Sequence, residues 1–167
     1  MEPIVNKVSQ SGLMTIDLEM FHESEARMSL DIKDQLYMGL MLKEKEFRDF
    51  IKGNDWSIYK GAIVNVHCST DAIVPTWAYM LISNKLSGIA KSVFFGTQAE
   101  YDTMHYLTAI DAMDLESYRD QRVVVKGCSK YPVPVSAYVH LTEKLTPLVK
   151  SIMYGEPCST VPIYKKA

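Results

Sequence analysis

One segment of this chain is written twice. Laid over one another, residues 56–97 and 115–156 match Tyr59-Lys60 with Tyr118-Arg119, Val64 and Val66 with Val123 and Val125, and Cys68-Ser69 with Cys128-Ser129. The match continues with Val74-Pro75 on Val133-Pro134, Ala78-Tyr79 on Ala137-Tyr138, Lys85-Leu86 on Lys144-Leu145, Lys91-Ser92 on Lys150-Ser151 and Gly96 on Gly155. One inserted residue, Gly127, before the second cysteine and one deletion after it restore the spacing. Matched apolar positions alone would show only that two units share a pattern. Matched Cys-Ser, Val-Pro, Ala-Tyr and Lys-Ser pairs in one order point to duplication of a strand-(Cys-Ser)-helix unit.

Around this repeat the apolar spacing predicts an α/β fold. Ala62–Val66, Lys91–Gly96 and Val123–Val125 read as short strands, and helices follow from Val74-Pro75, over Ala99–Met113 and from Pro134, with proline suited to a first helical turn and Gly88 to a helix end. Strands alternating with helices of this length predict a mostly parallel sheet with helices on both faces. Upstream, Met14–Phe21 and Arg27–Ile32 alternate in polarity across a short polar connection, which predicts an antiparallel hairpin at the sheet edge. A helix is expected over most of Gln35–Lys52, with Gly53-Asn54 as its stop. The 167 residues suit a single domain able to bury one core.

Charge and composition narrow the partners. A net charge of −2 with both signs scattered offers no basic stripe for nucleic acid and no polybasic anchor for lipid, and no apolar run is long enough to cross a bilayer. The first residues lack a secretory signal pattern, so three cysteines with no paired framework point to the reducing cytoplasm and free thiols. Ten methionines fit either a homodimer interface or a filled core.

The repeated Cys-Ser pairs carry the candidate chemistry. A third, Cys158-Ser159, repeats the context of Cys68-Ser69-Thr70. If the first and third strands of the βαβαβ series lie side by side, the Cys68 and Cys128 loops meet at a switch point, where open α/β sheets bind ligands. Cys68, Cys128 and Cys158, with His67, Asp71 or water as a fourth ligand, would suit zinc or iron, since thiolates bind such ions tetrahedrally. Against this, C-x-x-C spacing is absent and free cysteine is among the most commonly buried residues, so core cysteines are the plain alternative. A thiolate activated just before a helix start is a further reading, although His67 on an extended strand points away from Cys68. Ser69, Thr70 and Ser129 offer hydroxyls and amides that could hold a cofactor or anion, without a glycine-rich loop to support it. Asp71 reads most simply as a helix cap, Trp77, Tyr79 and Tyr138 as packing aromatics, His22, His105 and His140 as isolated, and Lys165-Lys166 as a solvated tail.

The segments "CSTDAIVPTWAYML", "KGCSKYPVPVSAYV" and "KSIMYGEPCSTVPIYK", with "IVNKVSQSGLMTIDLE" and "LKEKEFRDFI", resemble the family called domain of unknown function 2480 over essentially the whole chain. The resemblance implies a bacterial cytoplasmic protein without an established activity or assigned site residues. It also implies an association with iron-sulfur cluster assembly, so that assembly proteins are candidate partners and sulfur handling an alternative to metal binding.

Overall fold

Two runs of β-branched residues organise the chain. Ile63 and Val64, and Val123, Val124 and Val125, are buried at consecutive positions, so both faces of these strands are covered. The computed structural model describes residues 12–127, 129–156 and 159–167. In chain order its elements are β1 (Leu13–Asp17), β2 (Arg27–Asp31), α1 (Glu44–Gly53), β3 (Ile63–His67), α2 (Thr76–Leu86), β4 (Ser92–Phe94), α3 (Gln98–Asp111), β5 (Arg122–Lys126), α4 (Val135–Leu145), β6 (Ser151–Glu156) and β7 (Ser159–Lys165). The chain divides into two compact units, one built from the residues up to Glu23 and from Asp102 onward, the other from Ser24–Tyr101.

The α/β expectation with mostly parallel strands holds, but the strands form two sheets instead of one. The first unit carries the order β1-β5-β6-β7, the second β2-β3-β4. All pairings are parallel except that of β6 with β7. The units share one register. Leu13 pairs with Arg122 and Arg122 with Ser151 in the first; Arg27 pairs with Ile63 and Ile63 with Ser92 in the second. The duplication therefore includes β1 and β2, whose Met14-Thr15-Ile16-Asp17-Leu18 and Met28-Ser29-Leu30-Asp31-Ile32 correspond residue for residue.

Packing repeats as well. α2 buries Ala78, Ile82 and Leu86, one residue per helical turn along one face, and α4 buries Ala137, Leu141 and Leu145 at the same positions. Both helices start after a proline held in extended conformation, Pro75 and Pro134, which has no amide hydrogen to leave unbonded. The first core joins the α4 face to Ile16, Leu18, Val123, Val125 and Ile152, and the second joins the α2 face to Leu30, Ile32, Val64 and Val66.

Three expectations need correction. The N-terminal hairpin does not form, because β1 and β2 each add in parallel to a different hydrophobic strand, and the residues between them contain no two-residue hairpin turn. The helix expected from Gln35 begins only at Glu44; before it, Met38 at φ 53° and Gly39 at φ 71° reverse the chain, and the Tyr37 amide donates to the Met41 carbonyl at 2.7 Å. Lys165 closes β7, an antiparallel strand where the sequence suggests a tail. No helix among the described residues is long and apolar enough to cross a membrane.

Because Ile82 and Leu141 are fully buried at matched positions, Ile82→Ala and Leu141→Ala should each cost about 2–5 kcal/mol in chemical denaturation. Near-neutral effects at both positions would contradict the duplicated packing.

Candidate functional site

In each unit a carboxylate ties down the serine of the loop that follows the central strand, Ser69 after β3 and Ser129 after β5. In the second unit Asp31, the last residue of β2, accepts the Lys33 amide at 3.0 Å and the Ser69 amide at 3.1 Å. His67 stands beside it, with Nε2 3.9 Å from Asp31 Oδ2 and Nδ1 3.3 Å from Ser29 Oγ. Partial desolvation pushes the Asp31 carboxyl up, but the Ser69 hydroxyl and amide, the Lys33 amide and the nearby His67 outweigh it and lower the pKa to about 2. In the first unit Glu19 takes the equivalent part, accepting from the amides of Ser129 and Lys130. The Lys130 amide, with the Ser129 amide and hydroxyl, holds the Glu19 carboxyl below the usual range despite some desolvation. Lys126 replaces His67 in the repeat; its ammonium lies 3.2 Å from Asp17 and 3.8 Å from Glu156, and the Asp17 contact above all raises its pKa.

Next to each loop an apolar crevice opens between the helix and the strands. The first-unit crevice has a volume of about 350 Å³ and the second-unit crevice about 230 Å³. Their walls correspond through the repeat: Val125 with Val66, Tyr138 with Tyr79, Thr142 with Ser83, Ile152 with Val93, Met153 with Phe94, and Tyr154 with Phe95. An edge-to-face aromatic pair stands in each, Tyr138 and Tyr154 at 5.7 Å and Tyr79 and Phe95 at 5.0 Å between ring centroids. Gly127 is needed for the first pair, since a β-carbon there would lie 2.5 Å from the Tyr138 hydroxyl. Burial, followed by the neighbouring Cys68 and Asp31, pushes the Tyr79 phenol up, which keeps it a neutral hydrogen-bonding group. Each crevice therefore offers apolar walls, an aromatic edge and a few polar atoms, the composition of a small-molecule site.

The candidate residues named from sequence do not all fall together. Cys128 and Cys158 lie outside the described residues. Cys68 is half-buried, with Sγ 3.3 Å from Thr70 Oγ1 and 3.6 Å from the Thr70 carbonyl. Among the described residues no three His, Cys, Asp or Glu side chains form a group able to hold a metal ion. The strand order on which convergence of the loops was premised is also different, because β3 and β5 belong to separate sheets. Asp71 is exposed and is not the cap of α2, a position held by Pro75. α2 begins only at Thr76, so Cys68 is not in the turn before it and the helix dipole does not reach its thiol. Ser69 and Ser129 donate their amides to protein carboxylates, which occupy the place of an external anion.

Asp31, Glu19, Phe95 and Tyr154 escape a reading confined to unusual residue types. The repeat held a signal for part of this set, because Ala-Tyr aligns with Ala-Tyr at Tyr79 and Tyr138 and an aromatic aligns with an aromatic at Phe95 and Tyr154. The three other histidines are held separately: His105 by the Phe21 carbonyl at 2.7 Å and Glu23 at 3.4 Å, His140 by Asp111 at 2.7 Å, and His22 by stacking on Tyr131.

A family model described as protein of unknown function (DUF2480) matches residues 2–166. No curated protein and no solved structure matches the chain.

The depressed Asp31 pKa gives a signed stability prediction. A carboxyl that ionises more readily when folded contributes stability above its unfolded pKa of about 3.9 and loses it as pH falls toward the folded value of about 2. Asp31→Ala should therefore cost about 1–2 kcal/mol at pH 7, and the difference from wild type should shrink between about pH 4 and pH 2 in urea unfolding. A pH-independent difference would remove the carboxylate from this role.

Proposed function

The chain belongs to the DUF2480 family of proteins of unknown function, and we propose that it is a small-molecule binding protein with one ligand crevice in each repeat. The observation that carries this reading is the correspondence of the six paired wall positions in the two crevices, including their aromatic pairs. Packing alone explains matched buried positions. It does not explain why both copies leave the same space open, with apolar rim residues such as Val135 and Ile163 76% and 52% exposed in the first and Phe95 70% exposed in the second. The ligand class this favours is a compact, largely apolar molecule with an aromatic or planar portion, set against the Tyr138 and Tyr79 rings, with its polar end at the tyrosine hydroxyl and the Thr142 or Ser83 side chain. The reading assigns no reaction and places the protein in the reducing cytoplasm, where Cys68 stays a free thiol.

Titration with indole, followed by amide NMR, tests the proposal. Saturable shifts should centre on the two crevices, persist in the presence of a chelator, and weaken about tenfold in the matching crevice for Tyr138→Ala or Tyr79→Ala, the loss of about one aromatic contact. Absence of saturable shifts at these residues would overturn it.

A second reading rests on the recurrence in sequence of the Cys-Ser pair at Cys68-Ser69, Cys128-Ser129 and Cys158-Ser159: Cys68, Cys128 and Cys158 bind zinc or iron, or handle sulfur for an iron-sulfur assembly partner. Elemental mass spectrometry on protein purified without chelator then finds about one metal per chain, lost in Cys68→Ser. Metal-free protein with fast-reacting native thiols is the outcome expected of sulfur handling, and metal-free protein with thiols masked until unfolding counts against both forms.

A further inference from the structure

At the opposite end of the first-unit sheet, the amino ends of β5 and β6 and the carboxyl end of β7 build a second, polar crevice of about 610 Å³. Arg122, Ser151 and Lys165 form one row across these strands, because Arg122 pairs with Ser151 and Ser151 with Lys165. Directly opposed residues in a sheet project from the same face, so two cations flank a hydroxyl. Lys150, Lys166 and Ala167 complete the lining, against a single carboxylate side chain, Asp120, which lies 3.7 Å from Lys166. The backbone here is fixed: the Lys166 amide donates to the Lys150 carbonyl at 2.8 Å, the Lys150 amide to the Gln121 carbonyl at 2.8 Å, and the Asp120 amide to the Leu148 carbonyl at 2.9 Å.

The second unit shows the same place without this charge. Its row carries Ile63 where the first has Arg122, it has no strand equivalent to β7, and Lys91, the counterpart of Lys150, is neutralised by Glu25 at 2.5 Å. The offset that lays Asp31 on Asp17 lays Glu25 on Ser11, so the carboxylate that serves Lys91 has no equivalent in sequence for Lys150. Among the described residues no carboxylate pairs with Arg122, Lys150 or Lys165. Among the described residues, one copy thus holds a paired lysine, and the other holds that lysine without a carboxylate, adds an arginine, and brings Lys165 at the end of an added strand with Lys166 just beyond it. Gathering like charges on rigid backbone is unfavourable unless an anion offsets it.

We infer that this crevice is a binding site for a small phosphate-bearing ligand, in which Arg122 and Lys165 grip the phosphate oxygens on either side of the Ser151 hydroxyl while Lys150 and Lys166 supply further charge. Arginine presents a planar fork suited to phosphate, and lysine a point charge with three donors. The volume admits a small ligand, and since the whole chain carries a net charge of −2, the gathering of cations is local to this crevice.

Tripolyphosphate is the probe, titrated into the full chain by calorimetry and amide NMR at low and high salt, with citrate as a polycarboxylate comparator. The expected result is saturable tripolyphosphate binding that shifts Ser151 and its neighbours, weakens with salt, and exceeds citrate binding. Arg122→Ser and Lys165→Ser should each reduce affinity about tenfold, Arg122→Lys by less, and Lys91→Ala should leave it unchanged. All three positions, Arg122, Lys165 and Lys91, are exposed, and thermal unfolding checks that each variant is folded. Citrate binding as tightly as tripolyphosphate would overturn the phosphate assignment. No binding of either, or an equal loss in Lys91→Ala, would overturn the site itself.

Discussion

Parallel pairing between strands distant in sequence is the constraint on which the rest of this structure depends. Leu13 pairs with Arg122 and Arg27 with Ile63, so each unit closes only when an N-terminal strand reaches a later hydrophobic one. Such pairing requires a large loop to close before its contacts are made, and it persists because the central strands bury Val123 to Val125 and Ile63 to Val66 almost without exposed apolar surface. Its consequence is local and chemical. The register sets Asp17 opposite Lys126 and Asp31 opposite His67, so a carboxylate stands at the carboxyl end of each sheet, next to the loop that leaves it.

The crevices follow from the same geometry. A small residue at the start of each helix, Ala78 or Ala137, lets the backbone sit against the strands, and the tyrosine after it then turns toward the gap between helix and sheet. The two copies differ in how that gap is bounded. β7 contributes Ile163 to the first crevice, whereas the second has Phe94 and Phe95 in place of Met153 and Tyr154 and encloses less space. A shared origin with unequal walls is the arrangement expected when two sites keep one mode of binding and diverge in the size of what they accept.

Divergence is greater at the other end of the sheets. There the units keep backbone pairing and change charge, Ile63 against Arg122 and a paired Lys91 against Lys150. Backbone pairing tolerates such changes because its hydrogen bonds are made by the main chain, so the same ladder position holds a buried Ile63 in one unit and an exposed Arg122 in the other.

The sequence alone determined that the chain is α/β, that one strand-loop-helix unit recurs, and where α2 and α4 begin. These features depend on local periods, on proline at the helix starts and on matched residues at one offset, all of which are written in order along the chain. It also held, at Tyr79 and Tyr138, a trace of the crevices, although an aromatic on a helix reads as packing until its neighbours are known. Tertiary structure decided the rest. Met14–Asp17 and Arg27–Asp31 look like neighbours in a hairpin, but each has an equal pattern, and only the demand of two separate hydrophobic strands for cover sends them to different sheets. Likewise, nothing in the order of residues says that Asp31 will hold the Ser69 loop, that Glu19 will hold Ser129, or that Arg122, Ser151 and Lys165 share a row. Those juxtapositions are set by strand pairing across long separations, whose energy lies in the burial of the whole sheet and not in any segment that could be read by itself.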